Sequence, residues 1–208
     1  MQPVLLTVEQ LLGPLNDFEK KNCPNAVYCA GNLSLAKQPC VSVVGSRKCS
    51  PEGLKRAASL VRELVKHNVV IVSGLAEGID TVAHETAIRE GGKTIAVLGT
   101  ALNDSFPTKN KSLQEVIMKD HLAISQFPAG TAVTKKHFPM RNRTMALVSD
   151  ATVIVEAKDE SGTIHQAWEA LRLGRPLFLL ESILEDQSLE WPLKVMNYGA
   201  ELLSRETL

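Results

Sequence analysis

The sequence lacks an excess of charge of either sign. Lysine plus arginine and aspartate plus glutamate both total 23, so the formal net charge at pH 7 is zero. Proteins that bind nucleic acid through a broad surface are usually basic. A general basic surface is therefore excluded, and any anion-binding site in this protein must be local.

Long apolar runs and a targeting segment are also missing. No stretch approaches the roughly 18 consecutive apolar residues of a membrane-spanning helix. The first residues, MQPVLLTVEQLLGPLNDFEKK, contain no basic leader and no small-residue cleavage site, so we expect no signal peptide. We expect a cytoplasmic protein with no membrane partner.

Cysteine is sparse, and its spacing argues against a metal site. The four cysteines show no CxxC pattern and no nearby pair of histidines: Cys23, Cys29, Cys40 and Cys49. Isolated thiols of this kind are typical of reduced side chains in a cytosolic protein. We expect no bound metal and no cofactor.

What the chain does have is a regular alternation of apolar runs and amphipathic segments. The predicted strands are Val41–Val44, Val69–Val72, Thr94–Leu98, Leu122–Gln126, Ala151–Val155 and Pro176–Leu180. The predicted helices are Gly53–His67, Thr81–Arg89, Lys111–Lys119, Met140–Leu147 and Thr163–Leu173. Short runs that are apolar on both faces are typical of parallel strands covered by helices. The alternation predicts a doubly wound, mostly parallel, Rossmann-like α/β sheet.

The first 39 residues are less regular than the rest. We treat residues 1–39 as a short N-terminal extension and residues 40–208 as the Rossmann-like domain. The extension contains one short amphipathic helical pattern and, in NAVYCAGN, a short strand that ends at a Gly-Asn turn. We expect both to pack on the core.

Two glycine turns follow the first two predicted strands, at the edge where a doubly wound sheet binds ligands. The first, Gly45-Ser46-Arg47, leads into a helix and can present backbone N–H groups to a phosphate. It carries an arginine where the dinucleotide fingerprint would have a second glycine. The second turn, SGLAEGID, offers Ser73, Gly74, Gly78 and Asp80.

The second turn has two interpretations. It either cradles a phosphate, or its glycines only turn the chain tightly. Asp80 is expected to cap the following helix, or to bond His84 four residues later on the same helical face. A role for His84 as a catalytic base is disfavoured because no nucleophile stands near it in the pattern.

The loop after the fourth predicted strand concentrates positive charge around an aromatic residue. Five basic side chains and Asn142 surround Phe138: Lys135, Lys136, His137, Arg141 and Arg143. Guanidinium groups form planar forks for phosphate oxygens, and a ring offers a face for a base. Because Arg141 and Arg143 are two residues apart at a helix start, they should point in different directions. The alternative is a solvated loop with Arg143 in an ion pair.

A third glycine turn follows the fifth predicted strand. Ser161, Gly162 and Thr163 stand at another predicted helix N-terminus, where N–H groups and two hydroxyls favour an anion.

These motifs resemble, in order, those of the DNA-processing family DprA/Smf. The resemblance rests on GSRKCSPEG, SGLAEGIDTVAH, GGKTIAVLGTAL, FPAGT and HFPMRNRTMALVSDATVIVEA and covers roughly residues 25–203. It implies a Rossmann-like domain that binds and protects single-stranded DNA, assists a RecA-type recombinase during DNA uptake, forms a homodimer and is not an enzyme.

The resemblance also assigns residues. Arg47 corresponds to the phosphate-binding arginine of the family, Lys135 and Phe138 to its lysine and phenylalanine, and Arg141 and Arg143 to its arginine pair. An arginine in the first turn suits a strand backbone that runs across the site, which a fixed guanidinium grips.

Two other functions stay open for the same fold. The sequence also resembles the LOG phosphoribohydrolases, which cleave nucleoside monophosphates with a glutamate in the PGGxGTxxE motif. Here Gln166 stands at that place and Glu169 is three residues too late, so hydrolysis is disfavoured. A non-catalytic sensor of a free nucleotide fits the same residues and the low net charge.

The C-terminal segment LEWPLKVMNYGAELL is rich in apolar residues for a chain end. These residues either complete the core against the last strand or contribute to the homodimer that the resemblance implies: Leu189, Trp191, Leu193, Val195, Met196 and Leu202.

Overall fold

The computed structural model of the chain describes residues 2–159 and 161–204. The strands in this part are β1 (Val4–Leu6), β2 (Val27–Gly31), β3 (Cys40–Gly45), β4 (Val70–Ser73), β5 (Thr94–Leu98), β6 (Leu122–Ser125), β7 (Ala151–Glu156), β8 (Leu177–Leu180) and β9 (Glu201–Leu203). The α-helices are α1 (Val8–Leu12), α2 (Asp17–Asn22), α3 (Pro51–Lys66), α4 (Ile79–Arg89), α5 (Lys111–Asp120), α6 (His137–Val148), α7 (Thr163–Arg172) and α8 (Trp191–Met196).

The described strands form one sheet in the order β1-β2-β6-β5-β4-β3-β7-β8-β9. In this order, the seven neighbouring strands β6, β5, β4, β3, β7, β8 and β9 are parallel to one another. At the edge next to β6, β2 pairs antiparallel with β6, and β1 pairs antiparallel with β2. The predicted mostly parallel, Rossmann-like sheet is confirmed, and all six predicted strands are present within about one residue of their expected ends.

The chain reverses its direction of winding at β3. It moves outward from β3 through β4 and β5 to β6, and then returns to place β7 on the other side of β3, where Val43 pairs with Val153. In an open α/β sheet, the crevice outside the carboxyl ends of two such strands is the usual ligand site. This topology therefore directs attention to the loops that follow β3 and β7.

Helices cover both faces of the sheet. On one face, α3 and α4 pack against the middle of the sheet and α5 packs near β5 and β6. On the other face, residues of α6, α7 and α8 share a core with residues of α1 and the strands. Alternate residues of each central strand point to opposite faces, so a continuous apolar run is needed to fill both layers.

Residues of the N-terminal segment join the main core. Thr7 and Asn16 each form a capping box and start α1 and α2, respectively. Val8 and Leu11 of α1 are buried in the same cluster as residues of the central strands. The sequence predicted one helix here and missed both α2 and the edge strand β1.

Near the other end of the described chain, α8 and β9 were not predicted. The Trp191 indole N–H donates to the carbonyl of Ala157, 3.3 Å away, and thereby ties α8 to the end of β7. Trp191 and Val195 complete the core, whereas Leu193 is 63% exposed. None of the described helices is long and apolar enough to cross a membrane.

Candidate functional site

An open cleft of about 940 Å³ lies outside the carboxyl ends of β3 and β7. Its walls come from the loops after these two strands, the first turns of α6, the start of α7 and part of the segment before α8. It contains eleven of the residues predicted from the sequence: Gly45, Ser46, Arg47, Asp80, Lys135, Phe138, Arg141, Asn142, Ser161, Gly162 and Thr163.

The loop that carries Arg47 is held by the end of β7. The Ser46 N–H donates to the carbonyl of Glu156 at 2.7 Å. The Glu156 carboxylate accepts from the N–H and the hydroxyl of Ser50, at 2.9 and 2.6 Å. Ser50 in turn caps α3 by accepting from the Gly53 N–H at 2.9 Å. These bonds fix both ends of the short loop. The side chain of Arg47, which this loop carries, is exposed.

Phe138 lies beside Arg47. The guanidinium carbon of Arg47 is 5.2 Å from the centroid of the Phe138 ring, within the range of a cation–π contact. The ring rests on Gly99, where a Cβ atom would come within 2.8 Å of the ring edge. The half-buried ring thus has a fixed position at the wall of the cleft.

The helix that carries Phe138 begins earlier than predicted. The sequence places its start at Met140, but α6 begins at His137, with Lys136 as N-cap. Pro139 is tolerated because a residue in the first helical turn needs no N–H for an intrahelical bond. Lys135 lines the cleft as an exposed side chain, whereas Lys136 lies outside its lining.

Arg141 is a buried residue of the cleft floor, with 6% of its surface exposed. Its guanidinium donates to the carbonyl of Gly74 at the end of β4 and to that of Val97 in β5, the latter at 3.1 Å. Its Nε donates to the Asn142 side-chain oxygen at 2.9 Å. Burial lowers the pKa of Arg141, and the nearby Asp80 carboxylate opposes this shift. Arg141 therefore fixes two strand ends rather than standing free in the cleft.

The prediction that Asp80 caps α4 or bonds His84 is wrong. Asp80 is the second residue of α4, and its carboxylate accepts from the N–H groups of Gly74 and Ala76, at 3.2 and 3.3 Å. Burial raises the pKa of Asp80, while Arg141 and these donors oppose the shift. The carboxylate thus fills the turn that the sequence offered to a phosphate.

His84 is fully buried beneath this turn. Its Nδ1 lies 2.7 Å from the hydroxyl of Thr94, and that hydroxyl donates to the carbonyl of Ile71 at 2.7 Å. Burial lowers the pKa of His84 to about 3. His84 is a neutral core residue.

Gly78 brings the second turn against the first. Its φ of 77° is in the left-handed region, and a Cβ atom there would overlap the carbonyl oxygen of Ser46 and come within 2.7 Å of that of Arg47. The N–H of Ile79 also lies 3.4 Å from the Ser46 carbonyl. Ser73, Gly74 and Gly78 do not line the cleft; the turn they form supports the Arg47 loop from behind.

The start of α7 forms the opposite wall of the cleft. Asn142 donates to the carbonyl of Gly162, the N-cap of α7, at 3.1 Å. The Ser161 hydroxyl donates to that of Thr163 at 2.9 Å and accepts from the Thr163 N–H at 3.2 Å. Gln166 is buried one turn further, with its amide 3.4 Å from the Thr152 hydroxyl.

Arg143 points away from the cleft, as its spacing from Arg141 predicted. Its guanidinium lies 3.3 Å from Glu169 of α7, which also binds Arg172. Glu169 is therefore engaged by two arginines, and the ion-pair alternative for Arg143 is confirmed.

Sequence reasoning missed three basic residues of the cleft. Lys48, Lys158 and His165 are exposed and line it together with Arg47 and Lys135. Their signal was present, because Lys48 directly follows Arg47 and Lys158 lies in the EAKDES loop after β7. The cleft gathers positive charge that the neutral composition of the chain conceals.

The arrangement of possible metal ligands and the state of the thiols can be read from the described residues. Across residues 2–159 and 161–204, no group of three or more histidine, cysteine or acidic side chains could hold a metal ion. All four cysteines lie in this part and are free thiols, and burial raises the pKa of Cys29 and Cys40 to about 12.

A sequence model of the family DNA recombination-mediator protein A matches residues 11–207. The DNA processing protein DprA of Streptococcus pneumoniae is 40% identical over 92% of this chain and 67% of its own length. DprA of Bacillus subtilis is 33% identical, over 86% of this chain and 61% of its own length. Protein Smf of Synechocystis is 35% identical, over 98% of this chain and 52% of its own length. The chain spans between about half and two thirds of these curated relatives.

Solved structures agree with this match. The X-ray structure of DprA from Streptococcus pneumoniae superposes with a TM-score of 0.84 at 36% identity, over 98% of this chain and 71% of that one. A structure that describes the single-stranded DNA binding mode of DprA from Helicobacter pylori superposes with a TM-score of 0.81 at 29% identity. The superposition covers 97% of this chain and 91% of that one. A molybdenum cofactor binding protein from Rippkaea orientalis shares the fold alone. It superposes with a TM-score of 0.55 at 22% identity, over 81% of this chain and 90% of that one.

Proposed function

The chain belongs to the DNA recombination-mediator protein A family, and on this premise we propose that its cleft binds single-stranded DNA. The observation that carries the proposal is the position of Arg47 beside the Phe138 ring at the switch point of the sheet. The cation can bind the phosphate of a nucleotide, and the neighbouring ring can stack on its base.

The preference for a single strand follows from the ring. Bases in a duplex are stacked inside the helix and cannot reach an aromatic side chain, whereas those of a single strand can. The DprA structure from Helicobacter pylori, described for its single-stranded DNA binding mode, supports this ligand.

The predicted residues divide into contact and positioning roles. We assign phosphate contacts to Arg47 and Lys135, with Lys48 and Lys158 alongside them, because these cations are exposed and line the cleft. Backbone and hydroxyl groups of Gly45, Ser46, Ser161, Gly162 and Thr163 provide further polar groups for the strand backbone. The positioning residues hold the loops behind the cleft: Ser73, Gly74, Gly78, Asp80, Arg141 and Asn142. Lys136 and Arg143 lie outside the cleft lining, and Arg143 pairs with Glu169.

A binding titration tests the proposal. Fluorescence anisotropy compares one labelled single strand with the same sequence as a duplex, at several salt concentrations, with free nucleoside monophosphates as competitors. We expect the single strand to bind most tightly and its affinity to fall with salt as counterions are released. Equal or tighter binding of the duplex would refute the proposal. Tight binding of a mononucleotide with weak binding of the strand would favour a nucleotide sensor.

We further infer that the protein is not an enzyme. An amide, Gln166, occupies the place where the LOG hydrolases have a glutamate, and an amide neither takes up a proton at neutral pH nor stabilises a positive transition state as a carboxylate does. Glu169 is held by Arg143 and Arg172. Nucleoside monophosphates should stay intact on incubation, and release of free base in proportion to protein concentration would overturn this inference.

The wider role that we propose is the protection of incoming strands and assistance to a RecA-type recombinase in the cytoplasm. A homodimer would support this role, since two linked cleft sites gain from effective concentration. Large exposed apolar side chains of α7, α8, the turn after α8 and β9 offer a surface for it: Trp168, Leu193, Tyr198 and Leu202. Light scattering should give the mass of two chains, and a monomer mass at micromolar concentration would refute the dimer.

A further inference from the structure

Phe106 is an exposed aromatic residue, and none of the roles proposed above involves it. Its side chain is 50% exposed, and its ring centroid lies 5.5 Å from that of Phe138 with the ring planes tilted by 47°. Of the other phenylalanines, Phe18 is comparably exposed at 45% but contacts Arg172 on α7. What distinguishes Phe106 is that its exposed ring lies against Phe138, a ring of the cleft wall.

The loop that carries Phe106 is held at several points. The Ser125 hydroxyl donates to the carbonyl of Thr100 at 2.6 Å, and the Thr100 hydroxyl donates to that of Asp104 at 3.1 Å. The buried amide of Gln114 donates to the carbonyls of Leu102 and Asp104, at 2.9 and 3.0 Å. These bonds cross-link the loop before Phe106 and anchor it to β6 and α5. The ring is presented on a supported loop.

A second anchor connects this loop to the cleft floor. Asn110, four residues after Phe106, is buried and donates to the carbonyl of Leu75 at 3.0 Å and to the Thr81 hydroxyl at 2.8 Å. Leu75 belongs to the turn whose Gly74 carbonyl binds Arg141. The positions of Phe106 and of the cleft floor are thus fixed relative to each other, as preorganised recognition requires.

Phe138 itself is partly covered. Gly99 supports one edge of its ring, and the Arg47 guanidinium lies over it. Phe106 has the more exposed ring of the pair and lies beside Phe138, outside the cleft lining. A strand whose phosphates follow the cations would carry its next base past Phe138 and onto Phe106.

We propose that Phe106 forms a second base-stacking subsite, so that two successive bases of a single strand meet Phe138 and Phe106. This subsite rests on the proposed function of the cleft and extends it beyond the cleft lining. The ligand is a nucleobase of any identity, because every base has a π-face and ring stacking reads no hydrogen-bonding edge.

The test compares an intact single strand with an abasic strand of the same length and phosphate number. Phe106→Leu keeps an apolar side chain against Phe138 but removes the ring face, and Phe106→Tyr keeps the ring. Stacking contributes about 1–3 kcal/mol per base, so Phe106→Leu should weaken binding of the intact strand about 5-fold to 150-fold. Binding of the abasic strand should be unchanged, and Phe106→Tyr should bind like the parent protein.

Phe18→Leu is the matched control, since it removes an equally exposed ring at another place on the surface. It should leave both affinities unchanged. Equal weakening of the intact and abasic strands by Phe106→Leu, or no weakening of either, would overturn the subsite while leaving the cleft proposal standing. Absence of single-strand binding by the parent protein would overturn both. Thermal unfolding of each variant verifies that the fold is retained.

Discussion

The guanidinium of Arg141 occupies the space that a side chain at position 74 would need, and it donates a hydrogen bond to the Gly74 carbonyl. An arginine on α6 and a glycine at the end of β4 are thereby joined across the cleft floor. Arg143, two residues further along the same helix, reaches the surface and pairs with Glu169. The two arginines of one short motif have different physical tasks.

This difference predicts opposite results for two matched substitutions. Arg141→Met should lower the free energy of unfolding by about 3–5 kcal/mol, because it leaves two carbonyls without their donor and removes the nearby positive charge that favours the buried Asp80 carboxylate. Arg143→Met should cost less than about 1 kcal/mol, because its ion pair is partly exposed and screened by solvent. Urea unfolding of both variants measures this. Equal losses would show that Arg141 is not the structural member of the pair.

Gly78, which lies behind the cleft, and Gly162, which lines it, should also respond differently to substitution. Gly78→Ala should destabilise the protein by at least about 1–2 kcal/mol, because the residue has a positive φ and a Cβ atom would overlap the Arg47 loop. Gly162→Ala should change stability by less than about 0.5 kcal/mol, since its φ is −58° and no described atom lies within 4 Å of the added Cβ. Thermal unfolding of the two variants compares them directly. A neutral Gly78→Ala would contradict the close approach of the two turns.

Stability should fall as the pH is lowered below about 6.5, because His84 is buried as a neutral group. The pKa of His84 is lowered from 6.5 to about 3 on folding, so the unfolded chain binds the proton more readily between these values. The loss accumulates at a limiting slope of about 1.4 kcal/mol per pH unit. Burial also lowers the pKa of His121, which adds to the loss.

His84→Gln isolates this contribution. Asp80 acts in the opposite sense, because burial raises its pKa and its stabilising effect decreases as the pH rises above the unfolded value of 3.8. Asp80 is common to the parent protein and the variant, so its effect cancels in their difference. Urea unfolding from pH 4 to pH 8 should give a shallower pH dependence for His84→Gln. Parallel curves would mean that His84 is not buried as a neutral group.

The sheet could be predicted from the sequence because its central strands are buried on both faces. That environment demands continuous runs of Val and Ile, which are visible without any tertiary information. The elements that were missed are short and lie at the edges, as β1 and β9 do, or depend on distant partners. Trp191 of α8, for example, donates to Ala157, and no local pattern announces that contact.

The site was predictable in its location but not in the task of each side chain. The glycine turns and the Lys135–Arg143 cluster indicated the edge of the sheet where the cleft lies. Whether a polar group faces solvent or another part of the chain depends on contacts between distant segments. Asp80 was therefore mistaken for a helix cap, although its carboxylate accepts from the preceding turn. Phe106 gave no local signal because its position depends on Phe138, 32 residues away in the sequence.

The salt dependence of single-strand binding by Arg47→Ala tests the central claim most directly. Arg62→Ala is its control, an exposed arginine of α3 that does not line the cleft. Arg47→Ala should bind strands of every sequence more weakly, and its plot of log affinity against log salt should be shallower by about 0.7, the contribution of one phosphate contact. Arg62→Ala should bind like the parent protein. If Arg47→Ala matches the parent protein in both affinity and slope across the salt series, this cleft does not hold the strand.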